Sequence, residues 1–276
     1  MDNARDWDNR LDARVTWRGR RLSEPGVIRE FLAGDREYAA FALADLEPEF
    51  FSQCSWYGAE TMGEMRALAL IFHGLEPPAL FLMGDSTGLA LLFGSLLREP
   101  RLYATCRSEH LPILGAYYVT GEVDVMHRMV LRPERFQPDR RHSPERLTPA
   151  SMPELDALYA TDRSYRPWFQ PYQLAQGFFY GMREMGRLVA VAGTHLVSPG
   201  EGIAAVGNVF THPDCRGRGY ASASTARVTE ALLSHDLMIV LNVNQKNSVA
   251  ERVYRRLGYV DHCEFLEVPV MRRTLR

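Results

Sequence analysis

The spacing of apolar side chains predicts a helix over residues 219–234. Small or apolar side chains recur there at intervals of four, three and four, which is the stripe that a helix buries against a sheet. The stripe consists of Ala221, Thr225, Val228 and Leu232. Apolar runs over 203–211 and 237–243 flank this helix and predict strands. The second run is nearly all apolar, which is typical of a strand covered on both faces.

A second amphipathic helix follows the strand at 237–243. Its apolar face consists of Ala250, Val253, Tyr254 and Leu257. Gly258 stands where a glycine commonly ends a helix. The order in this part of the chain is therefore strand, glycine-rich turn, helix, strand, helix.

The segment upstream of 203 also has a readable pattern. It predicts a short strand at 145–147, a helix at 153–161, a short helix from about Pro171, and an antiparallel pair of strands at 178–183 and 187–197. Turn-forming residues at 184–186 join the two strands of that pair.

The first half of the chain alternates strands and helices. Strands are predicted at 67–72, 79–82, 102–106 and 123–131, and helices at 26–34, 38–46, 87–97 and 109–114. Five prolines among many charged residues interrupt regular structure over 132–153. We therefore place a domain boundary near Arg140, which gives an N-terminal α/β domain at 1–139 and a second domain at 140–276.

Composition narrows the class of protein. The chain has 276 residues, of which 46% are hydrophobic, so it can bury one large or two modest cores. The formal net charge of −2 argues against broad binding to nucleic acid or to anionic membranes, which needs a basic excess. The longest apolar stretch, 88–97, is too short to span a bilayer, and the polar start at 1–12 is unlike a signal peptide. We therefore expect a cytoplasmic protein.

The cysteines give no sign of a metal site. Cys54, Cys106, Cys215 and Cys263 are scattered, with no Cys-x-x-Cys spacing and no clustered histidines. Neither a disulfide framework nor a bound metal is therefore expected.

The turn at 209–221 carries the chemistry. An apolar strand runs through Thr-His-Pro into a turn that contains Gly217 and Gly219 and opens a helix. With so little side chain in the way, consecutive main-chain N–H groups converge on an anion at the positive end of the helix dipole. Arg216 and Arg218 add positive charge. The turn therefore predicts a phosphate site.

Two better-known phosphate motifs do not fit this turn. A Rossmann site needs a third glycine where Ser222 stands, and it needs an acidic residue at the end of the next strand. Asp236 precedes that strand and Asn242 lies within it. A Walker loop fails because no Gly-Lys-Ser/Thr follows.

The turn resembles the pyrophosphate-binding signature of the GNAT N-acetyltransferase superfamily, Arg/Gln-x-x-Gly-x-Gly/Ala, at Arg216, Gly219 and Ala221. A second family pattern, Asn-x-x-Ala-x-x-x-Tyr-x-x-x-Gly-Phe/Tyr, is matched downstream. The matching residues are Asn247, Ala250, Tyr254, Gly258 and Tyr259. The resemblance covers the chain from about Arg140 onward. It implies an α/β (α+β) fold with a mixed, mostly antiparallel sheet flanked by helices.

The first half is compatible with a second, degenerate GNAT-like unit, as in tandem or glycine N-acyltransferase-like members of the superfamily. No phosphate-binding signature occurs before residue 140, and 84–88 lacks the cationic residue. We therefore assign no coenzyme to this half. A module that only serves dimerisation is the other interpretation, and a homodimer is one expected assembly.

The resemblance implies transfer of an acetyl group from acetyl-CoA to a primary amine of a small molecule or peptide, by direct attack on the thioester. Tyr254 occupies the family's general-acid position, and the main-chain N–H near Val209 is the expected donor to the developing oxyanion. The expected coenzyme contacts are Val209, Phe210, Thr211, Arg216, Gly217, Arg218, Gly219, Tyr220, Ala221 and Asn247. A bulge at Gly207 and Asn208 is expected to open the slot beside the strand.

The general base stays unassigned, because Asn208 and Asn242 stand where relatives carry a glutamate and an amide is not a base. His195, Glu201 and His212 are the candidates. The acceptor is expected to meet the aromatic segment at 163–172, with Trp168, Phe169 and Tyr172 as walls and Arg163 or Arg166 on a carboxylate. These rings have an equal claim to packing at a domain interface. The alternative function is a coenzyme A-binding sensor or inactive scaffold without transferase activity.

Overall fold

The structure is a computed structural model that describes residues 16–162 and 169–273. Its strands are β1 (Trp17–Leu22), β2 (Cys54–Thr61), β3 (Glu64–Phe72), β4 (Ala79–Gly84), β5 (Arg101–Cys106), β6 (Tyr118–Thr120), β7 (Asp124–Leu131), β8 (Glu145–Arg146), β9 (Tyr180–Glu184), β10 (Arg187–Ser198), β11 (Ile203–Thr211), β12 (Met238–Asn244) and β13 (Tyr259–Arg272). Its α-helices are α1 (Pro25–Leu32), α2 (Ala40–Ala44), α3 (Pro48–Phe51), α4 (Ser86–Ser95), α5 (Leu111–Tyr117), α6 (Met152–Tyr159), α7 (Pro171–Ala175), α8 (Tyr220–Leu233) and α9 (Ser248–Leu257).

The two halves of the chain repeat one order of elements. In the first half, α4 crosses over from β4 to β5, which run parallel to each other. In the second half, α8 crosses over from β11 to β12 in the same way. One sheet contains the strands of both halves in the order β1-β2-β3-β4-β5-β13-β7-β12-β11-β10-β9-β8. This order has an approximate twofold symmetry, so the N-terminal half has the strand arrangement of a second copy of the C-terminal half.

Each half gives its last strand to the other half. β7 pairs with β12 at Val130↔Val240, and β13 pairs with β5 at Leu266↔Cys106, both antiparallel. At the centre, β7 and β13 pair with each other at Val130↔Val260. The proline-rich segment around the predicted boundary lies between β7 and β8, and the hydrogen-bonded sheet continues from one side of that boundary to the other.

Helices cover both faces of the sheet. α8 and α9 pack in one core cluster with Val206 and Leu241. The neighbouring residues Ala205 and Val240 face the opposite side because side chains alternate along a strand. They belong to a cluster that α1 and α2 of the N-terminal half bury. The N-terminal helices therefore cover one face of the sheet that carries the glycine-rich turn.

The mixed, largely antiparallel sheet with flanking helices confirms the expected fold class. The predicted strand at 203–211 matches β11, and the predicted helix at 219–234 matches α8 within one residue at each end. Four strands were missed: β1, β2, the short β6 and the long β13. Within the part of the chain that the structure describes, no helix combines the length and the apolar composition needed to cross a bilayer.

Candidate active site

β11 and β12 separate in the middle of the sheet. Their parallel pairing runs from Ile203↔Met238 to Val206↔Leu241 and ends there. The register of β11 against β10 shifts beyond Gly207, and Asn208 adopts a left-handed backbone conformation with φ of 52°. This is the bulge expected at Gly207 and Asn208. Beyond it, no described strand pairs with the edge of β11 that faced β12.

Two hydrogen bonds fix the bulge. The Asn208 carbonyl accepts from the Tyr159 hydroxyl at 3.1 Å, and its side-chain Nδ2 donates to the Thr194 carbonyl at 3.1 Å. The Oδ1 atoms of Asn208 and Asn242 are buried and have no hydrogen-bond partner in the described residues. Buried polar atoms without partners are rare and mark places where a ligand or water belongs. Both lie where β11 and β12 part.

The turn after β11 leaves the N-terminus of α8 without a cap. Gly219 is the N-cap residue with φ of 86°, and as a glycine it has no side chain to cap the helix. Among residues 16–162 and 169–273, no acceptor is bonded to the main-chain N–H groups of 217–222. A Cβ added to Gly217 would meet no atom within 4 Å, so the surface there is open. The glycine-rich turn therefore has the properties of an anion site.

The corresponding helix of the N-terminal half is capped by an acid. The Asp85 carboxylate accepts from the N–H groups of Thr87 at 2.7 Å and Gly88 at 3.4 Å. Beyond the parallel pairing of β4 and β5, the Leu82 carbonyl accepts from the buried Tyr38 hydroxyl at 2.9 Å. In the N-terminal half, the Asp85 carboxylate therefore bonds the first N–H groups of α4, and Tyr38 bonds the main chain of β4. No corresponding cap is found at the start of α8 within the described residues.

The two arginines of the turn are held by acids. Arg216 Nη2 donates to Asp162 at 2.9 Å, and Arg218 Nη1 donates to Glu184 at 2.7 Å. The Tyr220 hydroxyl also donates to Glu184 and, together with Arg218, holds the pKa of that carboxyl below its usual value. Exposed ion pairs of this kind contribute about 0–1 kcal/mol. A phosphate can therefore replace these partners at small cost.

Sequence reasoning missed two basic residues beside this turn. A Cβ on Gly219 would lie 3.0 Å from Nη2 of Arg141, whose guanidinium donates to Asp139. His142 Nε2 is hydrogen-bonded to the Arg218 carbonyl at 2.9 Å, and its ring lies 4.8 Å from that of Tyr220. Both come from the proline-rich segment, whose composition gave no sign of the contact.

Tyr254 lies in the apolar cluster beneath the opening. It is buried by α8 and α9 together with Val206 and Leu241, and Val209 packs against the same cluster. Its ring meets Tyr259 edge to face at 6.1 Å. Burial raises the pKa of Tyr254 to about 12, so the hydroxyl keeps its proton at neutral pH. In the described residues, no hydrogen-bond partner is found for that hydroxyl.

Asn247 has a structural role at the start of α9. Its Oδ1 accepts from the Ala250 N–H at 3.1 Å, so it is the N-cap of the helix. The sequence predicts Asn247 as a coenzyme contact, and its side-chain oxygen is engaged in this cap. The cap also fixes the start of the helix that carries Tyr254.

We expect Asn247→Ala to destabilise the protein by about 1 kcal/mol, because the first turn of α9 loses its cap. The affinity for coenzyme A should change less than threefold. Asn247→Asp retains an acceptor at this position and serves as the control. Urea unfolding and calorimetric titration measure the two quantities. A tenfold loss of coenzyme affinity with unchanged unfolding would instead assign Asn247 to the coenzyme.

The three candidate bases differ in their surroundings. Glu201 forms an ion pair with Arg29 of the N-terminal half at 2.7 Å. His212 Nδ1 accepts from the main-chain N–H two residues later and stabilises the turn. His195 lies at the opening, because its ring packs directly over Gly207 and leaves no room for a Cβ there.

The predicted acceptor wall is only partly described. Trp168 lies outside the described residues, as do Arg163 and Arg166. Phe169 packs on Tyr159 and Phe179 with ring centroids 6.0 and 5.3 Å apart.

Tyr172 meets Phe50 of the N-terminal half at 5.9 Å, and burial raises its pKa. The contact supports the interface interpretation for this ring.

Comparison with known proteins identifies a family for the C-terminal part of the chain. Residues 144–259 match the model of the acetyltransferase (GNAT) family. These residues contain the opened strand, the uncapped helix and Tyr254. By this match residues 144–259 form a GNAT-family domain, and the family supports acyl transfer as the general activity. Among curated proteins, no match was found.

Solved structures share the fold over nearly the whole chain. A GCN5-related N-acetyltransferase from Sphaerobacter thermophilus is 16% identical, with a TM-score of 0.64 and coverage of 94% of this chain and 97% of that chain. One from Kribbella flavida is 15% identical, with a TM-score of 0.57 and coverage of 76% and 87%. A tandem GNAT protein from the clavulanic acid biosynthesis pathway is 12% identical, with a TM-score of 0.58 and coverage of 95% and 100%.

Proposed function

We propose that this protein transfers an acetyl group from acetyl-CoA to a primary amine of a small molecule or peptide, by direct attack of the neutral amine on the thioester. One observation carries the proposal: an unpaired strand edge at the end of β11 leads directly into an uncapped helix N-terminus at Gly219. Coenzyme A has an amide-containing arm, which complements the strand edge, followed by a diphosphate, which complements the helix N-terminus.

The main chain supplies most of the binding. The N–H groups of 217–222 bind the diphosphate at the positive end of α8, with Arg216 and Arg218 adding charge. The edge of β11 at Val209, Phe210 and Thr211 pairs with the pantetheine arm as an added strand would. The Asp85-capped helix of the other half offers no such site, so we propose one coenzyme per chain.

Acetyl-CoA supplies the activated acyl carbon, and the protein positions charges and protons around it. The Val209 N–H donates to the carbonyl oxygen as it gains negative charge. The new C–N bond forms as the C–S bond breaks. Tyr254 donates its proton to the departing sulfur, for which the raised pKa is suitable because the hydroxyl is fully protonated at neutral pH.

The amine must lose a proton to a base. Of the three candidates, His195 lies beside the opening, whereas Glu201 is held by Arg29 and His212 by its own turn. We therefore assign His195 to this role. An imidazole is suited to this role because it can both accept and release a proton near neutral pH.

A coenzyme A-binding sensor without transferase activity is the second candidate function. The absence of a carboxylate base at Asn208 and Asn242 favours it. Thiol release from acetyl-CoA over a panel of amines, with calorimetry of coenzyme A binding, separates the two. Coenzyme binding with amine-dependent thiol release supports the transferase. Binding without release on any amine supports the sensor.

Tyr254→Phe should lower kcat by about 100-fold or more, which is the usual contribution of a positioned general acid. The affinity for coenzyme A should stay unchanged, because the ring still fills its place in the core. Tyr259→Phe is the matched control, since it removes a buried hydroxyl that bonds Thr229 at 2.8 Å. That variant should lose stability but keep kcat. Equal kcat values for the two variants would remove Tyr254 from the mechanism.

A further inference from the structure

Arg128 on β7 is a buried cation that forms no ion pair within the part of the chain that the structure describes. Its side chain is 1% exposed. No carboxylate within residues 16–162 and 169–273 lies within 4 Å of it, and its Nε has no hydrogen-bond partner there. Nη1 donates to the Glu37 carbonyl at 3.1 Å. Burial lowers the pKa of Arg128 to about 10, which still leaves it positively charged at neutral pH.

The sheet places Arg128 next to the opening between β11 and β12. It is the antiparallel partner of Asn242, and partners directly opposite in such a pair point to the same face. Asn242 follows Leu241, the last residue of β12 that pairs with β11. The unpaired guanidinium nitrogen and the unpaired Asn242 Oδ1 therefore lie on one face, beside the separation of the strands.

The ring of Phe41, from the N-terminal half, contacts both Arg128 and His195. The guanidinium of Arg128 lies 4.9 Å from the ring centroid of Phe41 on α2, and 5.3 Å from that of Phe265. The centroid of the Phe41 ring also lies 6.4 Å from that of the His195 ring. A cation, an amide oxygen and an imidazole thus surround the opening on the face that α2 covers.

Charged groups elsewhere do not neutralise Arg128. Asp35 and Glu267 act on it electrostatically from beyond ion-pair distance. Asp35 is bonded to Arg107 at 2.7 Å, and buried Glu267 accepts from the Tyr103 hydroxyl, with a raised pKa. A buried charge without a partner destabilises a protein, so its presence beside a reaction centre favours a role in binding an anion.

We infer that Arg128 binds the carboxylate of the acceptor, which makes the acceptor class an amino acid with a free carboxyl group. The planar guanidinium matches a carboxylate, and the Asn242 Oδ1 is placed to accept from the amine of the same molecule. This inference rests on the proposed function. It goes beyond it by naming the acceptor class and the residue that selects it.

The test compares the twenty common amino acids with their carboxamides as acceptors, by thiol release from acetyl-CoA. In the wild-type protein, at least one amino acid should exceed its amide by about 30-fold or more in kcat/KM, the scale of a buried charge pair. Arg128→Met should abolish this preference and leave the affinity for coenzyme A unchanged. Its melting temperature should not fall, because a methionine needs no counter-ion.

Two further variants keep the test decisive. Arg128→Lys retains the charge and should keep part of the preference, which covers the case in which the methionine variant does not fold. Arg132→Met is the control, since Arg132 is half-exposed and pairs with Glu37 at 3.5 Å. Amides used as fast as the free amino acids, or a preference that survives Arg128→Met, would overturn the inference alone. Failure to bind coenzyme A would overturn the proposed function instead.

Discussion

Gly219→Asp is expected to lower the affinity for coenzyme A by about 100-fold or more. The new carboxylate would cap α8 as Asp85 caps α4, and it would occupy the N–H groups proposed for the diphosphate. It would also repel the diphosphate at close range and attract the guanidinium of Arg141, which lies beside Gly219. Calorimetric titration of the folded variant measures the loss.

Gly219→Asn is the matched control for this substitution. Asparagine has nearly the same size as aspartate and tolerates the left-handed conformation at this position comparably well. It lacks the negative charge, so its loss of affinity should be less than about tenfold. If both variants bind coenzyme A as tightly as the wild type, the diphosphate does not bind at this helix.

A fragment of residues 140–276 is expected not to fold by itself. β7 lies between β12 and β13 in the sheet, so its removal leaves both strands without their central partner. The fragment also loses the cover that α1 and α2 give to Ala205 and Val240. We expect no cooperative thermal transition by circular dichroism and no measurable coenzyme binding.

Co-expression of 1–139 with 140–276 supplies the missing strand and provides the control. The two fragments should form a complex that binds coenzyme A, because the cut lies between β7 and β8 rather than within a strand. A fragment 140–276 that unfolds cooperatively and binds coenzyme A without its partner would show that the exchanged strand is dispensable.

The sequence predicts the local part of this fold well. The helical stripe of α8 and the apolar run of β12 are regular, and each is bounded by glycine or polar residues, so their ends could be placed within one or two residues. β13 was missed because polar residues, Asp261 to Glu264, and Pro269 interrupt its apolar pattern. β1 was missed because it is an edge strand with three arginines.

Long-range features could not be predicted in the same way. No pattern within β7 or β13 shows that each completes the other half of the sheet, since strand pairing depends on residues more than a hundred positions away. The acidic partners of Arg216 and Arg218 are also distant in sequence, since Asp162 and Glu184 lie 54 and 34 positions away. In the sequence Arg128 is one of several polar residues of β7, beside Asp124 and His127, and nothing there indicates its burial.

The backbone conformation of the candidate site was easier to predict than its side-chain contacts. Glycine at 217 and 219 indicates an open turn directly, and the bulge at Asn208 follows from its position beside Gly207. Side-chain contacts were harder to predict, because the sequence alone does not show which backbone group a polar side chain will bond. Asn247 shows this, since its contact with Ala250 is visible only once the helix is in place.

The most direct test of the central claim is a crystal structure with coenzyme A bound. We expect the diphosphate to lie within hydrogen-bond distance of the main-chain N–H groups of 217–222. The pantetheine arm should lie along β11 beyond Val206. Coenzyme A bound elsewhere, with those N–H groups in contact with protein or solvent alone, would contradict it.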